Sequence, residues 1–280
     1  MTDRAAEADL NADAIARQSL ENDLRHAMRR QEFELQYQPK MNVATGAISG
    51  VEALLRWHHP VRGMIPPGQF LPLAEESGLM MAIGQWVLRE GCRQARVWQD
   101  AGLPKITLAI NISAVELRAP GFVDGVRRIM TETDFDPTRV ELELTEAFLM
   151  HDPLSTDAVL HAIKNLGVKL AVDDCGTGDF SSSSTMQRFP IDALKVDQSF
   201  VRDLTTDAGD ARVVSAVINM GKSLHLRVIA EGVETREQLS FLEDHLCPEA
   251  QGFYFSHPLI GRELGDLLRH GILERKAHQL

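Results

Sequence analysis

The sequence is poor in cysteine. It has three, Cys92, Cys175 and Cys247, an odd number with no paired C-x-x-C spacing. No disulfide framework follows, and reduced thiols in a cytoplasmic compartment are expected. Long apolar runs are also missing. The longest, near Leu79 to Leu88, is too short to cross a bilayer, so no membrane insertion is expected. The start, MTDRAAEADL, is acidic and lacks the apolar stretch of a signal peptide. Positive charge is scarce: 29 Lys and Arg stand against 40 Asp and Glu, for a net charge of -11. That argues against nonspecific binding to DNA or to anionic membranes, because both need a basic surface to release counterions. An anionic substrate would need local help.

What is present is a chain of 280 residues, 44% apolar and 25% charged, the composition of a soluble globular protein. It is long enough for one large α/β barrel or two ordinary domains. Residues 1–18 are polar and Ala-rich and read as a linker or lead segment, with residues 19–280 as one domain. Leu20, Leu24, Ala27 and Met28 give one helical face before the alternating strand EFELQYQP. About ten residues, with Thr45-Gly46 as a turn signal, separate it from the strand ISGVEALLRW, too few for the crossover that a parallel pair needs. The first two strands are therefore expected to be antiparallel. After a loop punctuated by Pro60, Gly63, Pro66, Pro67 and Gly68, helices are expected through Glu75 and from Leu79 to Asp100. Strands then follow at ITLAINIS, VELELTE, VKLAVDD, ALKVD, LRVIAEG and AQGFYF. Helical stretches fall around 122–133, 156–165, 208–224, 236–245 and 261–271. Eight strands in this order predict a (β/α)8 barrel with one antiparallel strand, the first, and an active site at the carboxyl ends of the parallel strands. A doubly wound sheet is the alternative.

The strands deliver polar groups near their ends. Asp173 and Asp174 close an apolar run, Asn111 and Glu143 end theirs, Glu52 sits in the second strand, Lys195 lies in ALKVD and Glu231 follows LRVIA. Taken singly, each acid is ordinarily a helix cap or a solvated loop residue; the shared placement makes them a candidate set. Glu52, Asn111, Glu143, Asp173 and Asp174 are all oxygen donors, which suits Mg²⁺ or Mn²⁺, with Ca²⁺ possible, and argues against zinc. Four carboxylates at one barrel mouth would repel unless metal charge compensates them, and that charge could accept a phosphate. Two ions sharing a bridging Asp would suit phosphodiester hydrolysis. Lys195, inside an apolar pattern, needs a carboxylate neighbour and could position water or offset developing charge. Gln38 and Gln251 could hold a substrate or satisfy backbone groups. Arg56 could clamp a phosphate, or pair with an acid and stack on a ring. His58 and His59 face opposite sides of a strand, and Cys175, beside acids, is a packing residue rather than a nucleophile. The glycines at Gly176 and Gly178 lack the Lys and helix pattern of a P-loop.

These motifs resemble the EAL phosphodiesterase family, which hydrolyses cyclic di-GMP. The similarity spans Ser19 to Gly271: E-A-L-L-R-W at Glu52 to Trp57, PGQFLPLAEESG from Pro67, N-I-S at Asn111, E-L-T-E at Glu143, D-D-x-G-T-G at Asp173, LKVDQSFV from Leu194, AEGVET from Ala230 and QGFYFSHP from Gln251. The resemblance implies the barrel with one antiparallel strand and the product pGpG. It implies that Glu52, Asn111, Glu143 and Asp173 bind a first metal, with Asp173 bridging to a second ion and Asp174 beside it. Lys195 and Glu231 match contacts to metal-bound water, and Gln251 matches a support of that shell. Arg56 matches a phosphate contact, Gln38 and Glu234 match substrate contacts, and Glu146 matches the anchor of the loop after Asp174. Glu52, Lys195 and Glu231 are the implied catalytic set, with two Mg²⁺ or Mn²⁺ ions and inhibition by Ca²⁺. A homodimer is implied, and an upstream sensor or GGDEF-type domain would be a natural partner.

Three departures stand in the loop after Asp174. Cys175 replaces the family's Phe, and Asp179 intervenes before Phe180, with Ser183 where an apolar residue is usual. A cyclic di-GMP receptor with little turnover is therefore an alternative, and a different metal-dependent barrel enzyme acting on a carboxylate substrate is a third.

Overall fold

Period-two alternation along the strands separates an outer apolar layer from a polar barrel lumen. The computed structural model describes residues 16–151, 153–177 and 188–271. In β5 (Val140–Thr145), Val140, Leu142 and Leu144 join the apolar core, while Glu141 and Glu143, just as buried, form ion pairs on the opposite face. The same rule holds in β2 (Ile48–His59), where Val51, Ala53, Leu55 and Trp57 enter the core and Glu52 does not. Successive side chains of a strand must point to opposite faces. A strand covered outside by helices and closed inside therefore buries its charges in the lumen.

The remaining strands are β1 (Phe33–Asn42), β3 (Gly63–Ile65), β4 (Thr107–Asn111), β6 (Lys169–Cys175), β7 (Ala193–Val196), β8 (Arg227–Ala230), β9 (Glu249–Gln251) and β10 (Leu259–Ile260). β2, β4, β5, β6, β7, β8 and β9 pair in parallel in that order. β1 closes the ring, antiparallel to β2, with Gln38 opposite Glu52, and antiparallel to β9, with Lys40 opposite Gln251. The barrel thus has eight strands, with the first reversed, and β3 and β10 are short additions to β2 and β1. The tight β1–β2 connection turns at Gly46, which holds a left-handed φ of 69°, as glycine does readily.

Helices at Met80–Asp100, Phe122–Thr133, Pro153–Asn165, Ala208–Leu224, Arg236–Asp244 and Gly261–His270 surround the ring. The longest buries Met80, Ile83, Gly84, Val87, Leu88, Gly91, Cys92, Ala95 and Trp98, a stripe at helical spacing. Residues 16–27 form a leading helix that inserts Leu20, Leu24 and Ala27 into the core. Helix therefore begins at or before residue 16, inside the segment expected to be a lead; residues 1–15 lie outside the described residues.

One strand is shorter than the sequence suggests. AQGFYF breaks after Gln251, because the backbone at Gly252 lies against Val233, where any Cβ would collide. Val233 N–H donates to the Gln251 carbonyl at 3.0 Å and Tyr254 N–H donates to the Val233 carbonyl at 2.9 Å. Those bonds turn the chain away from the sheet. The short helices Ala114–Arg118 and Gln198–Asp203 were hidden in sequence by their length. The departures at Asp179 and Ser183 lie outside the described residues.

Candidate active site

Four acids converge on one ammonium group. Lys195 Nζ, on β7, lies 2.6 Å from Glu143 Oε2, 2.7 Å from Glu231 Oε1, 3.0 Å from Asp173 Oδ2 and 3.7 Å from Glu52 Oε2. These side chains come from β5, the residue after β8, β6 and β2, so the cluster sits where the parallel strands deliver their carboxyl ends. Glu52 is fixed from two further sides: Asn111 Nδ2 donates to Oε1 at 2.7 Å, and Gln251 Nε2 donates to Oε2 at 2.6 Å. Gln251 Nε2 also donates to Gln38 Oε1 at 3.0 Å. The expected set of Gln38, Glu52, Asn111, Glu143, Asp173, Lys195, Glu231 and Gln251 is thus brought together.

Burial would lower the Lys195 pKa, but Glu143, Glu231, Glu52 and Asp173 outweigh it and hold the ammonium charged. Burial likewise opposes ionisation of Glu52, yet Lys195 and Lys40 hold its carboxyl below the usual range. Glu231 goes the other way: burial, with Asp173, Glu52 and Glu143 repelling it, raises its pKa against the pull of Lys195. Neighbouring acids pushed in opposite directions are a recurring mark of functional sites.

Other expected residues stand apart. Asp174 adopts a left-handed φ of 56°, and its carboxyl stands outside the ion pairs of Lys195; burial, Asp173 and Asp197 raise its pKa. Arg56 Nε donates to Gln36 Oε1 at 3.0 Å and Nη1 to the Leu55 carbonyl at 3.0 Å. It does not stack on Trp57, which points to the opposite face and packs against Phe33 and Phe70. Glu234 lines the same cleft as Lys195. Glu146 opens the helix Glu146–His151 and is buried next to Cys175, whose thiol is pushed up by burial first and by Glu146 second. His59 is buried while His58 is exposed beside Glu34.

A cleft of about 270 Å³ opens above the cluster, lined by Gln38, Glu52, Asp173, Glu231, Glu234 and Phe253. A second cavity of about 280 Å³, lined by Leu54, Arg56, Pro67, Leu71, Asn111 and Ser113, lies on the other side of Leu54. A larger cavity of about 480 Å³ lies outside the barrel, against β1 and the helix Met80–Asp100. It contains none of the clustered groups, so charge convergence rather than size marks the site.

A family description matches residues 21–258: the EAL domain. The chain belongs to this family. The Pseudomonas aeruginosa bifunctional diguanylate cyclase/cyclic di-GMP phosphodiesterase MucR is 42% identical over 258 residues, which cover 92% of this chain and 38% of MucR. The cyclic di-GMP phosphodiesterase NbdA of the same organism is 41% identical over 250 residues, covering 89% of this chain and 32% of NbdA. Both relatives are much longer than the part that this EAL chain matches. The solved MucR phosphodiesterase in complex with c-di-GMP superposes with a TM-score of 0.85 at 43% identity, covering 88% of this chain and 99% of that one.

Sequence reasoning missed a lower storey of charge in this EAL barrel. Lys40 Nζ lies 2.5 Å from Glu143 Oε1 and 3.1 Å from Glu141 Oε1. Glu141 also pairs with Arg227, which reaches Glu249 at 3.3 Å. Alternation was the available signal, since Glu141 shares a face with Glu143 and Lys40 with Gln38. Among the described residues, the lumen then holds six carboxylates, Glu52, Glu141, Glu143, Asp173, Glu231 and Glu249, against three cations, Lys40, Lys195 and Arg227. No three Asp, Glu, His or Cys side chains among the described residues are close enough to form a metal cage. The acids are instead spaced around the Lys195 nitrogen. Among the described residues, no helix is long and apolar enough to cross a membrane.

Proposed function

We propose that the chain hydrolyses cyclic di-GMP to linear pGpG, with two Mg²⁺ or Mn²⁺ ions held by Glu52, Asn111, Glu143, Asp173, Asp174 and Glu231. The carrying observation is the unbalanced charge in the lumen, six carboxylates to three cations. Two divalent ions would offset this formal excess together with the charge of Asp174, so that an anionic phosphodiester meets no net negative charge. The donor set fits: carboxylates and one amide oxygen are what hard cations select. Membership of the EAL family and the names of MucR and NbdA support the substrate.

When bound, such ions lower the pKa of a water and neutralise phosphoryl oxygens. The chain's own groups do the rest. Asn111 and Gln251 fix the orientation of Glu52. Lys195, charged and shared by four acids, is placed to offset charge that develops on the phosphate. Glu231, 2.7 Å from Lys195 beside the cleft, is placed to take a proton from the attacking water. Arg56 borders the second cavity and contributes a guanidinium for the diester. The two cavities of similar size on either side of Leu54 suit a ligand with two bases, one in each, with Gln38 and Glu234 contacting one of them.

The homodimer and a sensor or GGDEF-type partner domain belong to the same reading; the greater length of MucR and NbdA supports the latter. Turnover and binding measured side by side test the proposal. Chromatography should show pGpG with Mg²⁺ or Mn²⁺ and little with Ca²⁺, which prefers longer bonds and more ligands. Tight binding of cyclic di-GMP without turnover in Mg²⁺ would make the chain a receptor instead.

A further inference from the structure

Glu143 is held at both oxygens. Oε2 accepts from Lys195 at 2.6 Å, within the cluster at the mouth, while Oε1 accepts from Lys40, on the lower storey, at 2.5 Å. The two ammonium groups differ in what else they hold. Lys195 is shared with three further acids at the mouth. Among the described residues, Lys40 has one other ion-pair partner, Glu141, which the Arg227 guanidinium also holds. Its side chain is only 2% exposed, so it has no solvated alternative. A cation entering the mouth can displace Lys195 from Glu143, but it cannot displace Lys40.

We infer that Lys40 is a positioning residue that keeps one oxygen of Glu143 permanently occupied, so that this carboxylate offers a metal ion a single oxygen and the site favours a small ion over Ca²⁺. The inference rests on the metal-dependent reading above. Its physical basis is the difference between the ions. Mg²⁺ demands near-octahedral geometry with few protein ligands, whereas Ca²⁺ takes more oxygens and readily accepts a carboxylate through both. A carboxylate tied by one oxygen to a buried ammonium is held against rotation, and the ammonium charge opposes a divalent ion on that same oxygen. Partners behind a ligand commonly matter nearly as much as the ligand itself. Glu141, Arg227 and Glu249 extend this support to the far end of the lumen, which fixes Lys40 in turn.

The test is calorimetric titration of Mg²⁺ and of Ca²⁺ into the wild type, Lys40→Met, and Lys40→Met combined with Glu141→Gln. The double variant removes one charge of each sign, which leaves the formal charge of the lumen unchanged and keeps the test open if the single variant fails to fold. Loss of a positive charge alone would change both affinities together. Release of the second Glu143 oxygen changes their ratio. The expected result is a shift of the Mg²⁺ to Ca²⁺ affinity ratio toward Ca²⁺ by about 10- to 100-fold, the usual effect of removing a partner behind a metal ligand. An unchanged ratio in a folded variant, with the wild type binding both ions, would overturn the role of Lys40 and leave the proposed function standing. A wild type that binds neither ion would overturn both.

Discussion

At the scale of single residues, the site depends on how one ammonium and its acids balance. Glu52→Ala removes a proposed metal ligand and leaves Asn111 Nδ2 and one bond of Gln251 without an acceptor. Unmet buried donors cost about 1–3 kcal/mol, and relief of repulsion among the acids offsets part of that. Turnover should be abolished while chemical denaturation shows a stability change within about 3 kcal/mol; collapse of the fold would give Glu52 a structural role. Lys195→Met should behave differently. It leaves a buried Glu143 and the half-buried Asp173 and Glu231 without their shared partner, which costs about 3–5 kcal/mol. Saturating Mg²⁺ should restore more stability to this variant than it adds to the wild type, and kcat should fall far more than KM changes. Equal Mg²⁺ effects on both proteins would contradict the shared-cation picture.

At the scale of elements, strand ends were legible because β5, β6 and β7 each carry an apolar run that stops at a charged group. The reversed first strand was legible because the β1–β2 connection is too short for a crossover. The break after Gln251 was not, since it depends on Val233, which is distant in sequence. Lys40 and Glu141 escaped notice because a buried charge is legible only once its partner on another strand is known. The helix after Asn111 gives a sharper test. Ser113 and Glu116 form a reciprocal cap, with Glu116 seated against Gly84, where a side chain could not fit. Burial pushes the Glu116 carboxyl up to about 7 from 4.5, against the hydrogen bonds from Ser113. A raised folded value means that its contribution is complete below about 4.5 and is lost as pH rises through about 7. Glu116→Gln retains an acceptor oxygen for Ser113. The variant should match the wild type near pH 4.5 and exceed it by about 2–4 kcal/mol at pH 8, measured by urea unfolding at both values. A difference that does not depend on pH would contradict this.

At the scale of the whole molecule, the lumen is one continuous ion network, and its lower storey should carry the opposite pH signature. Burial would raise Glu141, but Lys40 and Arg227 hold it down at about 2. A depressed value gives stability that is present above about 4.5 and is lost as pH falls through about 2. Glu141→Gln should therefore cost about 3 kcal/mol at pH 7, with the difference from the wild type shrinking as urea unfolding is repeated toward pH 3; a constant difference would detach Glu141 from the network. The central claim is that this charge-rich mouth directs water, with bound metal, onto a phosphodiester. Mass spectrometry of the product formed from cyclic di-GMP in ¹⁸O-water with Mg²⁺ tests it most directly. The account predicts pGpG carrying one ¹⁸O on its terminal 5′-phosphate and no product after chelation. A 2′,3′-cyclic phosphate without label, or product formed equally well in chelator, would contradict it.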